Sequence, residues 1–120
     1  MDRTFLLLGA VAAFLAVTLG AFGAHGLRGR LSPEMMAVFQ TGVQYHMAHA
    51  LALILVSAIM GRMSGWLIQT AGWAFVAGIV LFSGSLYALA LSGVAILGAV
   101  TPIGGLAFLI GWACLAFAAF

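Results

Sequence analysis

From Met63 to Phe120 the chain carries no charged side chain, and its six charges (Asp2, Arg3, Arg28, Arg30, Glu34 and Arg62) all lie outside the long apolar runs. Soluble domains carry about 25% charged residues, whereas this chain has 5% charged and 66% hydrophobic residues with a mean hydropathy of +1.28. A membrane-spanning helix needs about 20 apolar residues, which leaves room for four. The fold class expected is all-α, an integral membrane four-transmembrane-helix bundle with short loops, forming one domain over 1–120.

The spans are expected at about 4–24, 33–60, 66–91 and 102–119. Small residues recur along the first at Gly9, Ala13, Ala16, Gly20 and Ala24, giving one face that permits close backbone approach. Its apolar run is longer than the roughly 7–15 residues of a signal-peptide core, so it is expected to remain as a helix rather than be cleaved near His25. The second starts on a strong signal: Ser32 at N-cap, Pro33 at N1 and Glu34 in the first turn. As one straight helix Pro33–Met60 measures roughly 42 Å against a core of about 30 Å. An interfacial start over 33–39, turning near Thr41-Gly42, is therefore expected. Trp66 and Trp73 read as interfacial anchors of the third span. Thr101-Pro102 repeats the N-cap and N1 signature before the fourth, where Gly104, Gly105 and Gly111 invite close packing.

Four spans put both termini on one side. The positive-inside count ties, with Arg3 and Arg62 on that side against Arg28 and Arg30 on the other, and the free α-amino group tips it toward termini in the cytoplasm. The net charge of +2 comes from too few groups to suggest a nucleic-acid surface. Cys114, the single cysteine, excludes an internal disulfide.

The polar side chains concentrate in Gln40-Thr-Gly-Val-Gln-Tyr-His-Met-Ala-His49 and Phe82-Ser-Gly-Ser-Leu-Tyr87. Counted at 1.5 Å per residue from the His25 surface, Tyr45, His46 and His49 lie at the same depth as Ser83, Ser85 and Tyr87. Thr41, Tyr45 and His49 share one helical face, with His46 turned about 60° from His49. Three readings compete for this layer. In the first, Tyr45, His49, Ser83, Ser85 and Tyr87 satisfy one another and fix the packing. The second is a small-molecule, lipid or ion pathway in which His46 and His49 pass protons and Arg28 and Arg30 draw an anion to the mouth. The third is a metal or cofactor site, which lacks a carboxylate or cysteine at that depth to complete a shell. No catalytic constellation is present: there is no intramembrane acid, Ser-His-acid set or phosphate loop.

Four blocks carry a family resemblance: Gly20-Ala-Phe-Gly-Ala-His-Gly-Leu27, Phe39–His49, Phe82–Tyr87, and Thr101-Pro-Ile-Gly-Gly105 followed by Gly111-Trp112. In this order they closely resemble the small bacterial inner-membrane proteins grouped as domain of unknown function 423. The resemblance implies a four-helix inner-membrane protein with no activity to carry over, and it implies that His46 is a variable position. Its blocks fall on His25, Gln40, Thr41, Tyr45, His49, Ser83, Ser85, Tyr87, Thr101 and Pro102. The expectation is a non-enzymatic, multi-pass inner-membrane protein without cofactor or metal, self-associating and in contact with membrane lipid. Its polar layer either holds the bundle together or binds a small ligand. The alternative is a small transporter or proton-coupled channel using His49 and Ser83–Tyr87. Candidate residues are His25, Arg28, Gln40, Thr41, Tyr45, His46, His49, Ser83, Ser85, Tyr87 and Thr101.

Overall fold

Within hydrocarbon every backbone N–H and C=O must be satisfied inside its own segment, so the apolar runs become helices. A computed structural model describes residues 2–63 and 65–120, without the Asp2 side chain. The Asp2 charge and Ser64, in the expected Gly61–Gly65 connection, lie outside the described residues. Among the described residues, four helices are long and apolar enough to cross a membrane. Helix α1 is α-helical over Asp2–Thr18, passes through a π-turn at Leu19–Gly23 and ends as Ala24–Leu27. Helix α2 is Pro33–Met60. Helix α3 is Trp66–Gly78, a second π-turn at Ile79–Ser83, and Gly84–Ser92. A 3-10 turn, Ala95–Ala99, leads into α4, Thr101–Ala119.

The expected break is corrected. α2 does not turn at Thr41-Gly42: it is one uninterrupted helix, with the Thr41 hydroxyl bonded back to the Ala37 carbonyl at 3.0 Å. Phe39 is buried, its ring packed on Gly23 of α1 and on Tyr87 of α3. The interruptions fall in α1 and α3, as the two π-turns. At the start of α2 the Ser32 hydroxyl accepts from the Met35 N–H at 3.1 Å with Pro33 in the first turn, as its sequence requires. Thr101, by contrast, does not cap α4. Val100 occupies that position and the Thr101 hydroxyl is spent on Ser85.

Neighbouring helices run antiparallel, and aromatic rings set into glycines fix their register. A Cβ on Gly9 would meet Ile54 and the Ala50 carbonyl of α2 at 2.8 and 2.9 Å, and one on Gly20 would meet Val43 at 3.1 Å. Gly23, rather than the expected Ala24, meets Phe39. Tyr87 lies on Gly42, Phe5 on Gly72, Phe108 on Gly78 and Phe75 on Gly111. Gly104 brings α4 against the backbone of Leu81 and Phe82 in the α3 π-turn. Without hydrophobic drive between helices in lipid, such close approach supplies the dispersion contact that holds them. The buried apolar core, including Phe5, Leu53, Val56, Phe75 and Phe108, follows this seam.

Candidate functional site

Two histidines one turn apart on α2 reach different neighbours. His46 and His49 are each 5% exposed. His46 Nδ1 lies 2.8 Å from the Tyr87 hydroxyl, which ties α2 to α3. His49 Nδ1 lies 2.8 Å from the Tyr45 carbonyl, which can only accept, so Nδ1 carries the proton. Nε2 is then an acceptor, and the Trp112 indole N–H donates to it at 3.0 Å. The ring stacks on Phe108 with centroids 3.6 Å apart and planes 9° apart. One neutral tautomer of His49 is thus selected by two fixed partners on opposite sides.

The serines are equally committed. Ser83 is fully buried and donates to the Gly42 carbonyl at 2.7 Å, across α2 and α3. Ser85 donates to the Phe82 carbonyl at 2.9 Å and shares a 2.6 Å contact with Thr101, joining α3 to α4. Both hydroxyls lie where the π-turn leaves the regular carbonyl ladder, a place where polar side chains compensate the backbone. Among the described residues no buried side-chain nitrogen or oxygen lacks a partner.

The candidates therefore separate into three places. His46, His49, Ser83, Ser85, Tyr87 and Thr101 form interhelical hydrogen bonds. The expected mutual set including Tyr45 is corrected: Tyr45 is 44% exposed, its ring rests on Phe82 at 4.6 Å, and only its backbone carbonyl joins the network. Thr41 is spent on its own helix. His25 does not begin the first loop but sits in the last helical turn of α1, exposed, and with Arg28 and Gln40 it lines a groove at that end of the molecule. Trp112 was not among the candidates. The clue was available: an indole N–H in an otherwise apolar span needs an acceptor. No group of three metal-ligating side chains occurs among the described residues.

The Ser85–Thr101 link gives a direct test. Ser85→Ala and Thr101→Val are each expected to destabilise the α3–α4 contact, with a coupling of about 0.6 kcal/mol in a double-mutant cycle. Denaturation in mixed micelles followed by circular dichroism measures it, and additive single effects would show the link to be inert.

A large apolar cleft, about 500 Å³, separates α1 from α3, with α2 as its floor. Leu8, Leu15 and Leu19 form one wall, Val76, Val80 and Gly84 the other, and His46 and Tyr87 the polar end. Both π-turns border it, through Leu19 on one side and Ile79 and Val80 on the other.

A family model described as Protein of unknown function (DUF423) matches residues 19–105, from the first π-turn to the second glycine of α4. The chain is 53% identical over 118 residues to the UPF0382 membrane protein YwdK of Bacillus subtilis, covering 98% of this chain and 96% of that protein. It is 50% identical over 119 residues to a UPF0382 membrane protein of Staphylococcus epidermidis (97% and 94% covered). One from Staphylococcus haemolyticus is 48% identical over 121 residues (98% and 96% covered). No solved structure matches the chain. With its four membrane-length helices and this similarity along nearly its whole length, the chain belongs to the DUF423 family of multi-pass membrane proteins.

Proposed function

We propose that this is a non-enzymatic lipid-binding protein of the bacterial inner membrane, holding an acyl chain in the cleft between α1 and α3. The observation that carries the reading is the cleft itself. Its volume of about 500 Å³ suits a small ligand, and its lining is apolar except for Thr18, His46 and Tyr87. From Leu8 to Leu19 it extends about 16 Å along α1, close to half the hydrocarbon core of about 30 Å. That is the reach of one acyl chain in one leaflet. The polar interior supports a structural role for the hydrogen-bonded layer, since its hydroxyls and rings are already bonded to each other or to backbone. Transport through His49 has no comparable support, because both of its ring nitrogens are engaged.

Gly84 provides the test. It lines the cleft, and a Cβ placed there meets nothing within 4 Å, so Gly84→Leu fills the space without disturbing helix packing. The leucine side chain takes the place of several methylenes of the acyl chain, so the exclusion is steric, and a loss of about tenfold in affinity, about 1.4 kcal/mol, is expected. Photo-crosslinking with a phospholipid bearing a diazirine in its acyl chain should label α1 and α3 peptides of the wild type about tenfold more than those of Gly84→Leu, at unchanged thermal stability. Equal labelling of both proteins would sink the proposal.

A further inference from the structure

On the other side of α1, away from the cleft, the seam between α1 and α2 opens into two adjoining hollows of about 280 and 190 Å³ that share Gly20, Ala24 and Gln40. The first is lined by His25 and Arg28 at the molecule's end, and the second continues inward to Gln44. We propose that this groove binds the phosphate of an anionic lipid headgroup, with Arg28 and His25 at the phosphate and the two glutamine amides one to two turns deeper, at the ester carbonyls.

Four observations converge on this ligand. Arg28 has no ion-pair partner among the described residues, and Glu34 does not line the groove. A planar guanidinium with no carboxylate beside it matches a phosphate through two parallel hydrogen bonds. Gln40 and Gln44 are exposed, one helical turn apart, at about 10 and 16 Å from the start of α2. An amide facing hydrocarbon without a partner is costly, and ester oxygens of a lipid satisfy it at the depth where they occur. Gly20, Ala21 and Ala24 keep the floor low enough for a headgroup to enter. At the opposite end of the molecule the groove between Met63 and Phe117 is lined by no charged side chain, so the feature is particular to the Arg28 end.

A second copy of the chain fits less well. A two-fold interface would set this concavity against itself and leave a void, and would bring Arg28 toward its own image. Inorganic phosphate shares the anion chemistry but offers nothing to Gln44.

The test uses full-length protein in detergent, equilibrated with mixed micelles of phosphatidylglycerol or phosphatidylcholine and analysed by native mass spectrometry. One phosphatidylglycerol per chain is expected to be retained in preference to phosphatidylcholine. Retention should fall about tenfold in Arg28→Gln and in Gln44→Leu, the loss of one charge-assisted or amide hydrogen-bond set. Arg28→Lys should retain part of the binding, while Arg62→Gln should behave as wild type. Gly84→Leu loses lipid of either headgroup from the cleft but keeps the preference for phosphatidylglycerol over phosphatidylcholine, which separates the groove from the cleft. The inference fails if Arg28→Gln retains the lipid normally, or if millimolar sodium phosphate displaces it, which would make the ligand a free anion. It fails equally if Gln44→Leu dissociates a dimer while lipid retention stays intact. The variants lie on an exposed face, and their circular dichroism and thermal midpoints establish that they fold.

Discussion

Gly104→Ala is expected to be the most damaging single-methyl change in the chain. A Cβ there would run into the backbone of Leu81 and Phe82 in the α3 π-turn, which cannot rotate aside as a side chain would. Separating α3 from α4 at that point also pulls Phe108 off Gly78 and Phe75 off Gly111, because all three contacts lie along one seam. Overpacking of this kind costs about 1–3 kcal/mol where neighbours yield, and the rigid backbone places this case at the upper end, about 3 kcal/mol. Gly105→Ala is the built-in control: its Cβ would meet only the Phe82 ring at 3.7 Å, an ordinary contact. Denaturation in mixed micelles followed by circular dichroism should show a large loss for the first and almost none for the second. Similar midpoints for the two variants would mean that α4 does not approach the π-turn as described.

The second large effect is expected at His49. Replacing it with alanine removes a buried ring stacked on Phe108 and leaves the Trp112 N–H without an acceptor, a combined loss of about 3 kcal/mol. His49→Phe keeps an aromatic ring but deletes both the Nε2 acceptor and the Nδ1 donor to the Tyr45 carbonyl, so the double-mutant cycle is what isolates the bond to Trp112. The coupling of His49→Phe to Trp112→Phe should lie near about 0.6 kcal/mol and not exceed about 1.7 kcal/mol. With the exposed Trp66 and Trp73 replaced by phenylalanine, the fluorescence of Trp112 reports the contact directly, and His49→Phe should shift its emission. Additivity of the two substitutions within about 0.3 kcal/mol would show that the hydrogen bond contributes nothing.

These two cases mark the boundary of what the residues reveal in order. The glycines at 104, 105 and 111 signal close packing on α4, yet they look alike in one dimension. Only the position of the α3 π-turn decides that Gly104 is critical and Gly105 is not. The depth of the polar residues also follows from counting along helices. Their pairing does not, since it depends on rotation about each axis. His46 therefore finds Tyr87, His49 finds Trp112, and Tyr45, on the same face as His49, keeps its hydroxyl outside the network. Thr101 shows the same limit: its place before Pro102 reads as a cap, and the proximity of Ser85 redirects its hydroxyl.

Hydropathy alone determined that this chain forms four membrane-length helices with short connections, because lipid leaves an apolar segment no other way to satisfy its backbone. The family, too, was legible in four sequence blocks. Tertiary structure decided where the helices depart from regularity and what those departures create. The two π-turns arise where glycines and close contacts shift the helical ladder, and no local propensity announces them. They frame the cleft between α1 and α3, while the opposite side of the α1–α2 seam gathers His25, Arg28, Gln40 and Gln44 into one groove. Both hollows are gaps between helices, and a gap is a property of how surfaces meet rather than of any one segment.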